Sequence, residues 1–159
     1  MFSALQQLSR WCNIIVEKLL LVTGGAICLI LFAQVLFRYA GASLGWSEEV
    51  SRHLLVAITF LGGTAAYKQV RFIGLRGFGH DLGRGIQQGI VVALQLLTLG
   101  CFSILAWFGT SYTFKAWEHT TSSLQIPMSI PFAIIPLSAI VFIIHVLADM
   151  AKTFERRAP

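Results

Sequence analysis

The chain has 159 residues, of which 56% are apolar and 12% charged, and its mean hydropathy is +0.74. A soluble domain carries about twice that charged fraction and could not hide so much apolar surface from water. This excludes a soluble enzyme, a disordered chain and a nucleic-acid binder, and assigns the excess of 12 Lys and Arg over 7 Asp and Glu to membrane topology.

A helix needs about 20 mostly apolar residues to cross the hydrocarbon core. The first candidate is the charge-free run Leu19 to Phe37, fenced by Glu17/Lys18 and Arg38, which predicts a span over about 17–38. It is too long for the core of a cleaved signal peptide, and no small-x-small site follows before Arg38. A lipoprotein signal is also excluded, because bulky Ile27 precedes Cys28 and Trp11 precedes Cys12. The second run, His53 to Tyr67, has 15 uncharged residues. It spans only if it starts near Trp46, over about 47–69, with Arg52 and Lys68 snorkelling at the two interfaces. The connection 68–84 carries Lys68, Arg71, Arg76 and Arg84 with Phe72 and Phe78, which suits anionic lipid head groups. Its glycines argue against a long regular helix. The run Gly74-Leu-Arg-Gly77-Phe-Gly79 has no preceding strand, so it is not a phosphate-binding loop.

The third run, Gly85 to Phe114, has 30 uncharged residues. At about 1.5 Å per residue it exceeds the bilayer core, which predicts strong tilt over 85–114. The fourth span, about 126–150, is interrupted early by Pro127, Pro131 and Pro136. Pro136 is expected to kink it or mark its true start, leaving 126–131 as an interfacial approach. The expected fold is a single all-α integral membrane domain over 1–159 with four transmembrane helices. Nine of the twelve basic residues fall on the side that holds both termini, against Arg38, Arg52 and Lys115 on the other. That asymmetry predicts cytoplasmic N- and C-termini.

No ionisable residue sits clearly at mid-depth, where transport chemistry concentrates. Gln95 and Thr98 in the third span, and Thr23 and Gln34 in the first, are read as hydrogen-bonding to neighbouring helices. His145 is the one candidate for a buried site. A b-type haem needs paired axial ligands, and His53 lies toward the opposite face, so a packed, neutral His145 is expected. The cysteines Cys12, Cys28 and Cys101 lack short spacings and suggest neither a disulfide framework nor a zinc site. Gly62, Gly63, Ala65 and Ala66 place a smooth patch on the second span, and Gly85 and Gly89 open the third. Both patterns permit close backbone approach between helices.

The most informative stretch is the junction from Phe37-Arg38-Tyr39 to Trp46-Ser47-Glu48-Glu49-Val50-Ser51-Arg52. Ser47 is placed to cap the second helix, with Glu48 and Glu49 in its first turn. Glu48 and Arg52 are four apart in the stabilising order, as are Glu49 and His53. Trp46 suits a membrane–water boundary. Two adjacent acids between Arg38 and Arg52 exceed what capping requires, which raises ion-pairing of an acid to Arg38 or to another subunit.

The residues Arg38-Tyr39, Trp46-Ser-Glu48-Glu49-x-x-Arg52 and Phe60-Leu-Gly62-Gly63-x-Ala65-Ala66 resemble the small membrane subunit (Q type) of tripartite ATP-independent periplasmic, or TRAP, transporters. The resemblance covers Phe37 to about Lys68 by motif and nearly the whole chain by length and span number. The family often follows its second span with a short His-containing, Asp-ending segment, where this chain has Arg71-Phe72-Ile73-Gly74. The resemblance implies a non-catalytic scaffold without its own cofactor. The partners it implies are a large multi-span membrane subunit holding the substrate and sodium sites, and a periplasmic binding protein that delivers an organic acid, of the C4-dicarboxylate or sialic acid class. It also implies the bacterial inner membrane as location, with lipids and no nucleic acid as further contacts. The competing classes are a self-contained four-helix exporter, which would need a membrane-embedded Glu where Glu17 sits at the entry, and a haem or quinone redox protein.

Overall fold

The structure, a computed structural model, describes residues 2–77 and 84–155. In chain order it has helix α1 (Phe2–Tyr39), α2 (Gly45–Gly77) and α3 (Arg84–Lys115), a single 3₁₀ turn (Ala116–Glu118), a short α4 (Ser129–Phe132) and α5 (Ile134–Glu155). The long helices overrun the charge-free windows that mark them in the sequence. α1, with 38 residues, reaches about 57 Å at 1.5 Å per residue. A charged side chain does not interrupt the backbone ladder, so Arg10, Glu17 and Lys18 lie within α1. For the same reason α2 continues past Lys68 to Gly77. Gly74 does not stop it, contrary to the expectation from its glycines.

α1 stops where Gly41 adopts φ 81°, a conformation that favours glycine. The Ala42 N–H donates to the Phe37 carbonyl (3.0 Å) and the Gly41 N–H to that of Arg38 (3.2 Å), the paired bonds of a Schellman cap. α2 begins four residues later, so α1 and α2 form an antiparallel hairpin. The fourth stretch breaks at Ala133, between α4 and α5. Pro136 then occupies the third position of α5, where its missing N–H costs no intrahelical bond, so it marks the helix start and does not kink the interior.

Among the described residues, three helical stretches are long and apolar enough to cross a membrane: Ala4–Tyr39, Gly89–Glu118 and Ser129–Lys152. α2 is not among them. Glu48, Glu49, Arg52 and His53 occupy one end and Lys68 the other, which leaves too short an apolar run between. The structure is thus all-helical, with three membrane-competent stretches where the sequence predicted four spans.

α5 is the central element and packs against α1, α2 and α3. Its inward positions Ser138, Ala139, Phe142, His145, Val146 and Ala148 are buried. Phe142 stacks on Phe102 of α3 at 3.8 Å and meets the edge of Tyr67 of α2 at 5.8 Å. Val16, Leu61 and Ala65 form a second apolar knot with Leu20, Ile134 and Val141. Around this interior, α1 and α3 expose Leu21, Leu29, Phe32, Trp107, Phe108 and Phe114. Such a surface requires lipid or protein, and not water, on its far side.

Candidate functional site

Two polar regions, one at each end of the bundle, hold the chemistry of the described residues. The first is built on the α1–α2 junction. Arg38 lies in the last turn of α1, where a cation suits the helix dipole. Its side chain is exposed and forms no hydrogen bond or ion pair with the described residues. Tyr39 is 89% exposed and Trp46 43%. Glu48 and Arg52 form an i,i+4 ion pair at 3.3 Å, open to solvent.

Glu49 behaves differently. Its carboxylate accepts the Ser123 backbone N–H at 2.8 Å across 74 residues of chain. Ser123 Oγ also donates to the Gly45 carbonyl at 3.4 Å. The loop so held is internally ordered. Thr120 and Pro127 form an isolated antiparallel bridge. The Thr121 N–H donates to the Ile126 carbonyl and the Met128 N–H to that of His119, each at 2.8 Å. Gln125 takes φ 54° to close the turn. Glu49 precedes the uncharged stretch of α2, and the Ser123 N–H holds its carboxyl below the ordinary range. The Thr121 and Ser123 hydroxyls and nearby His53 act in the same sense, while desolvation opposes them.

Two local expectations are corrected here. Ser47 is the third residue of α2, fully buried, and its hydroxyl donates to the Leu44 carbonyl at 2.7 Å. It fastens the turn before the helix and does not cap the helix start. His53 sits one turn from Glu49 as expected, its Nδ1 meeting the Glu49 backbone carbonyl at 2.8 Å and its charge favouring the ionised carboxylate that the loop also engages. Among the described residues neither acid pairs with Arg38: Glu48 bonds Arg52 in its own helix, and Glu49 Oε2 accepts from Ser123 while its Oε1 is buried without a hydrogen-bond partner.

The second region joins α1, α2 and α5. Ser9 Oγ lies 2.8 Å from His145 Nδ1, with Ser9 5% and His145 1% exposed. Lys68 Nζ donates to the Ser9 carbonyl at 2.8 Å. One serine on α1 thus meets a side chain from each of the other two helices. His145 is packed, as the sequence suggested, but its partner lies 136 residues away. Nothing in local spacing could have revealed Ser9. Lys68 is half-buried here, and the side chains of Arg71, Arg76 and Arg84 lie outside the described residues, as does the segment 78–83.

The small residues divide by environment. A Cβ on Gly62 would meet Leu20 Cδ2 at 3.8 Å, and one on Gly63 the Phe142 ring at 3.4 Å. Ala65 is buried and Ala66 exposed. A Cβ on Gly89 would meet nothing within 4 Å, and the surroundings of Gly85 lie outside the described residues. A Cβ on Gly109 would meet Pro136 and Ile135 at 3.5–3.6 Å, an approach of α3 to α5 that the sequence did not suggest. Thr23 and Thr98 do not bridge helices. Each hydroxyl donates to the carbonyl four residues back in its own helix, Leu19 and Leu94 respectively. Gln95 is buried without a hydrogen-bond partner, as is Gln34 Oε1.

These features define a helical membrane protein with apolar flanks and polar contacts gathered at its two ends. The family described as "Tripartite ATP-independent periplasmic transporters, DctQ component" matches residues 27–156. The chain belongs to this family, and is accordingly a TRAP small permease subunit and not an enzyme. It is 28% identical over 151 residues to the isethionate TRAP transporter permease protein DctMQ of Oleidesulfovibrio alaskensis, which covers 89% of this chain and 24% of that one. It is 26% identical over 128 residues to the ectoine TRAP transporter small permease protein TeaB of Halomonas elongata, covering 79% of this chain and 66% of that one. The chain therefore spans about a quarter of the first relative's length and just under two thirds of the second's.

Proposed function

We propose that the chain is a non-catalytic scaffold that braces a large membrane subunit during sodium-coupled uptake of an organic acid supplied by a periplasmic binding protein. The observation that carries this reading is the pair of apolar flanks on α1 and α3, which leave broad surfaces for a membrane partner. A relative about four times as long contains this domain, which supports placing it against a larger membrane unit. The two relatives are named for different compounds, isethionate and ectoine, and in this reading the choice of substrate belongs to the large subunit and the binding protein. Arg38, Tyr39, Trp46, Glu48 and Arg52, turned outward, form the surface offered to a partner subunit or to the docked binding protein, while Glu49 shapes it from within.

In the same reading α2 is a fourth crossing. It packs along α1 and α5, so placing those two in the bilayer places α2 there as well. Its uncharged residues 53–67 lie in the core, the Trp46–Arg52 end at one boundary and Lys68 at the other. Both termini are cytoplasmic, by the nine-to-three division of basic residues, in the bacterial inner membrane. Lys68, Arg71, Arg76 and Arg84 then face the inner leaflet. Sodium and substrate sites belong to the large subunit.

Reconstitution tests the scaffold role. Vesicles containing this chain alone are expected to show no sodium-driven uptake, and vesicles containing it with its large subunit and binding protein to show uptake. Uptake by the chain alone would refute the proposal.

A further inference from the structure

An open groove of about 410 Å³ lies on the outer face of α1, between the side chains of Gln6, Gln7, Arg10, Trp11 and Ile14. These positions follow one another along a single stripe of the helix. They lie away from Ser9, Val16 and Leu20, which face the bundle. The chemistry of the groove is graded along the stripe, with two amides and a guanidinium toward the N-terminus and an indole and an isoleucine beyond them. Arg10 is exposed and has no hydrogen bond or ion pair with the described residues.

The electrostatic setting favours an anion. Arg10 of α1 and Lys152 of α5 both lie close enough to Lys68 to act on its charge, and the nearby acid Glu17 opposes them. Three helices thus bring the cations Arg10, Lys68 and Lys152 to one end, with Glu17 of α1 and Asp149 of α5 as the acids of the same end. The depth is also set on the page. Lys68 closes the uncharged run of α2, and its ammonium meets the carbonyl of Ser9, the residue before Arg10. Arg10 therefore stands at the level where α2 leaves the apolar region, which is where a phospholipid carries its phosphate.

We propose that Gln6, Gln7, Arg10, Trp11 and Ile14 form a binding site for the phosphate head of an anionic phospholipid. The guanidinium pairs with two phosphate oxygens in its fork geometry, the glutamine amides donate to the remaining oxygens, and the upper acyl chain lies along Trp11 and Ile14. This inference rests on the reading that this end of the bundle lies at a lipid surface. It is separate from the basic connection beyond Lys68.

The test uses the full chain in nanodiscs of phosphatidylcholine doped with phosphatidylglycerol, with bound lipid counted by native mass spectrometry. The wild type is expected to retain phosphatidylglycerol after phosphatidylcholine has dissociated. Arg10→Ala is expected to weaken that retention about fivefold, the weight of one basic residue at an anionic surface. Arg10→Lys should keep part of it, and Lys115→Ala, at the opposite end, all of it. Circular dichroism checks the fold, and Trp11→Ala supplies a second variant that leaves the charge in place and should shorten retention. Equal retention of the two lipids by the wild type overturns the site, as does retention unchanged in Arg10→Ala. Displacement by millimolar inorganic phosphate would mark a free-phosphate site and overturn the lipid assignment. A joint Arg71→Gln and Arg76→Gln variant separates the two readings. Phosphatidylglycerol retention that persists in this variant and falls in Arg10→Ala assigns the lipid to α1, whereas retention lost in it and kept in Arg10→Ala assigns the lipid to the connection and overturns the site.

Discussion

Glu48 and Glu49 are adjacent acids with different fates, and the difference can be measured. The Glu48–Arg52 pair is solvent-exposed, so Glu48→Gln should change stability by no more than about 0.5 kcal/mol. Glu49→Gln removes an ionised acceptor from the Ser123 N–H, and amide exchange across residues 119–128 should quicken while that of α3 and α5 is unchanged. The same tie has a pH dependence of known sign. The folded carboxyl titrates below its ordinary value of 4.5, so the tie is fully present above that pH and is lost as pH falls through the folded pKa. Exchange in the loop should therefore show no added opening from neutral pH down to about 5, and added opening below 4.5, after correction for intrinsic rates. At the opposite end, Ser9→Ala leaves His145 Nδ1 without its partner at a cost of about 0.6–1.7 kcal/mol, measurable by denaturation in micelles. The i,i+4 pair was legible in the sequence because helical spacing alone brings it together. Ser123 and Ser9 were not, since each meets its partner only through the packing of distant helices.

At the scale of elements, α2 shows why glycines that look equivalent in sequence differ in consequence. A methyl group on Gly62 would meet the tip of Leu20, a flexible end that can move aside. One on Gly63 would press on Phe142, whose ring is already held by Phe102 and Tyr67. Gly62→Ala should be nearly neutral, and Gly63→Leu should destabilise the bundle by about 1–3 kcal/mol through overpacking, read as a lowered unfolding midpoint in micelles. Small residues in a row were visible in the sequence, but which of them faces an immovable neighbour was not. Helix existence was legible from charge-free runs, whereas helix length was not, because charges end an apolar window without ending a hydrogen-bonded ladder. The start of α5 illustrates the reverse case, for three prolines announced an irregular approach and only the backbone placed its break at Ala133.

Across the whole molecule, α5 is packed against the other three long helices and still exposes Leu137, Ile140 and Leu147, while α1 and α3 keep broader apolar outer faces. Each outer helix carries an exposed cysteine, Cys28 on α1 and Cys101 on α3. Co-expression with the large membrane subunit should protect at least one of them from a lipid-soluble maleimide. Equal labelling of both cysteines with and without that subunit would show that neither flank is covered near them. The membrane class and the family were legible from composition and from residues 37–68. Which surfaces stay open was not, since that depends on which helix the others surround.

The two polar ties have a joint mechanical consequence. Glu49 clasps the α1–α2 hairpin to the loop leading into α4 and α5 at one end, and Ser9, Lys68 and His145 clasp α1, α2 and α5 at the other. A beam clamped at both ends bends far less than one clamped at a single end. A push delivered at the Trp46 end would therefore tilt the clasped helices together, carrying the displacement to the Ser9 end with little lost to flexing between them.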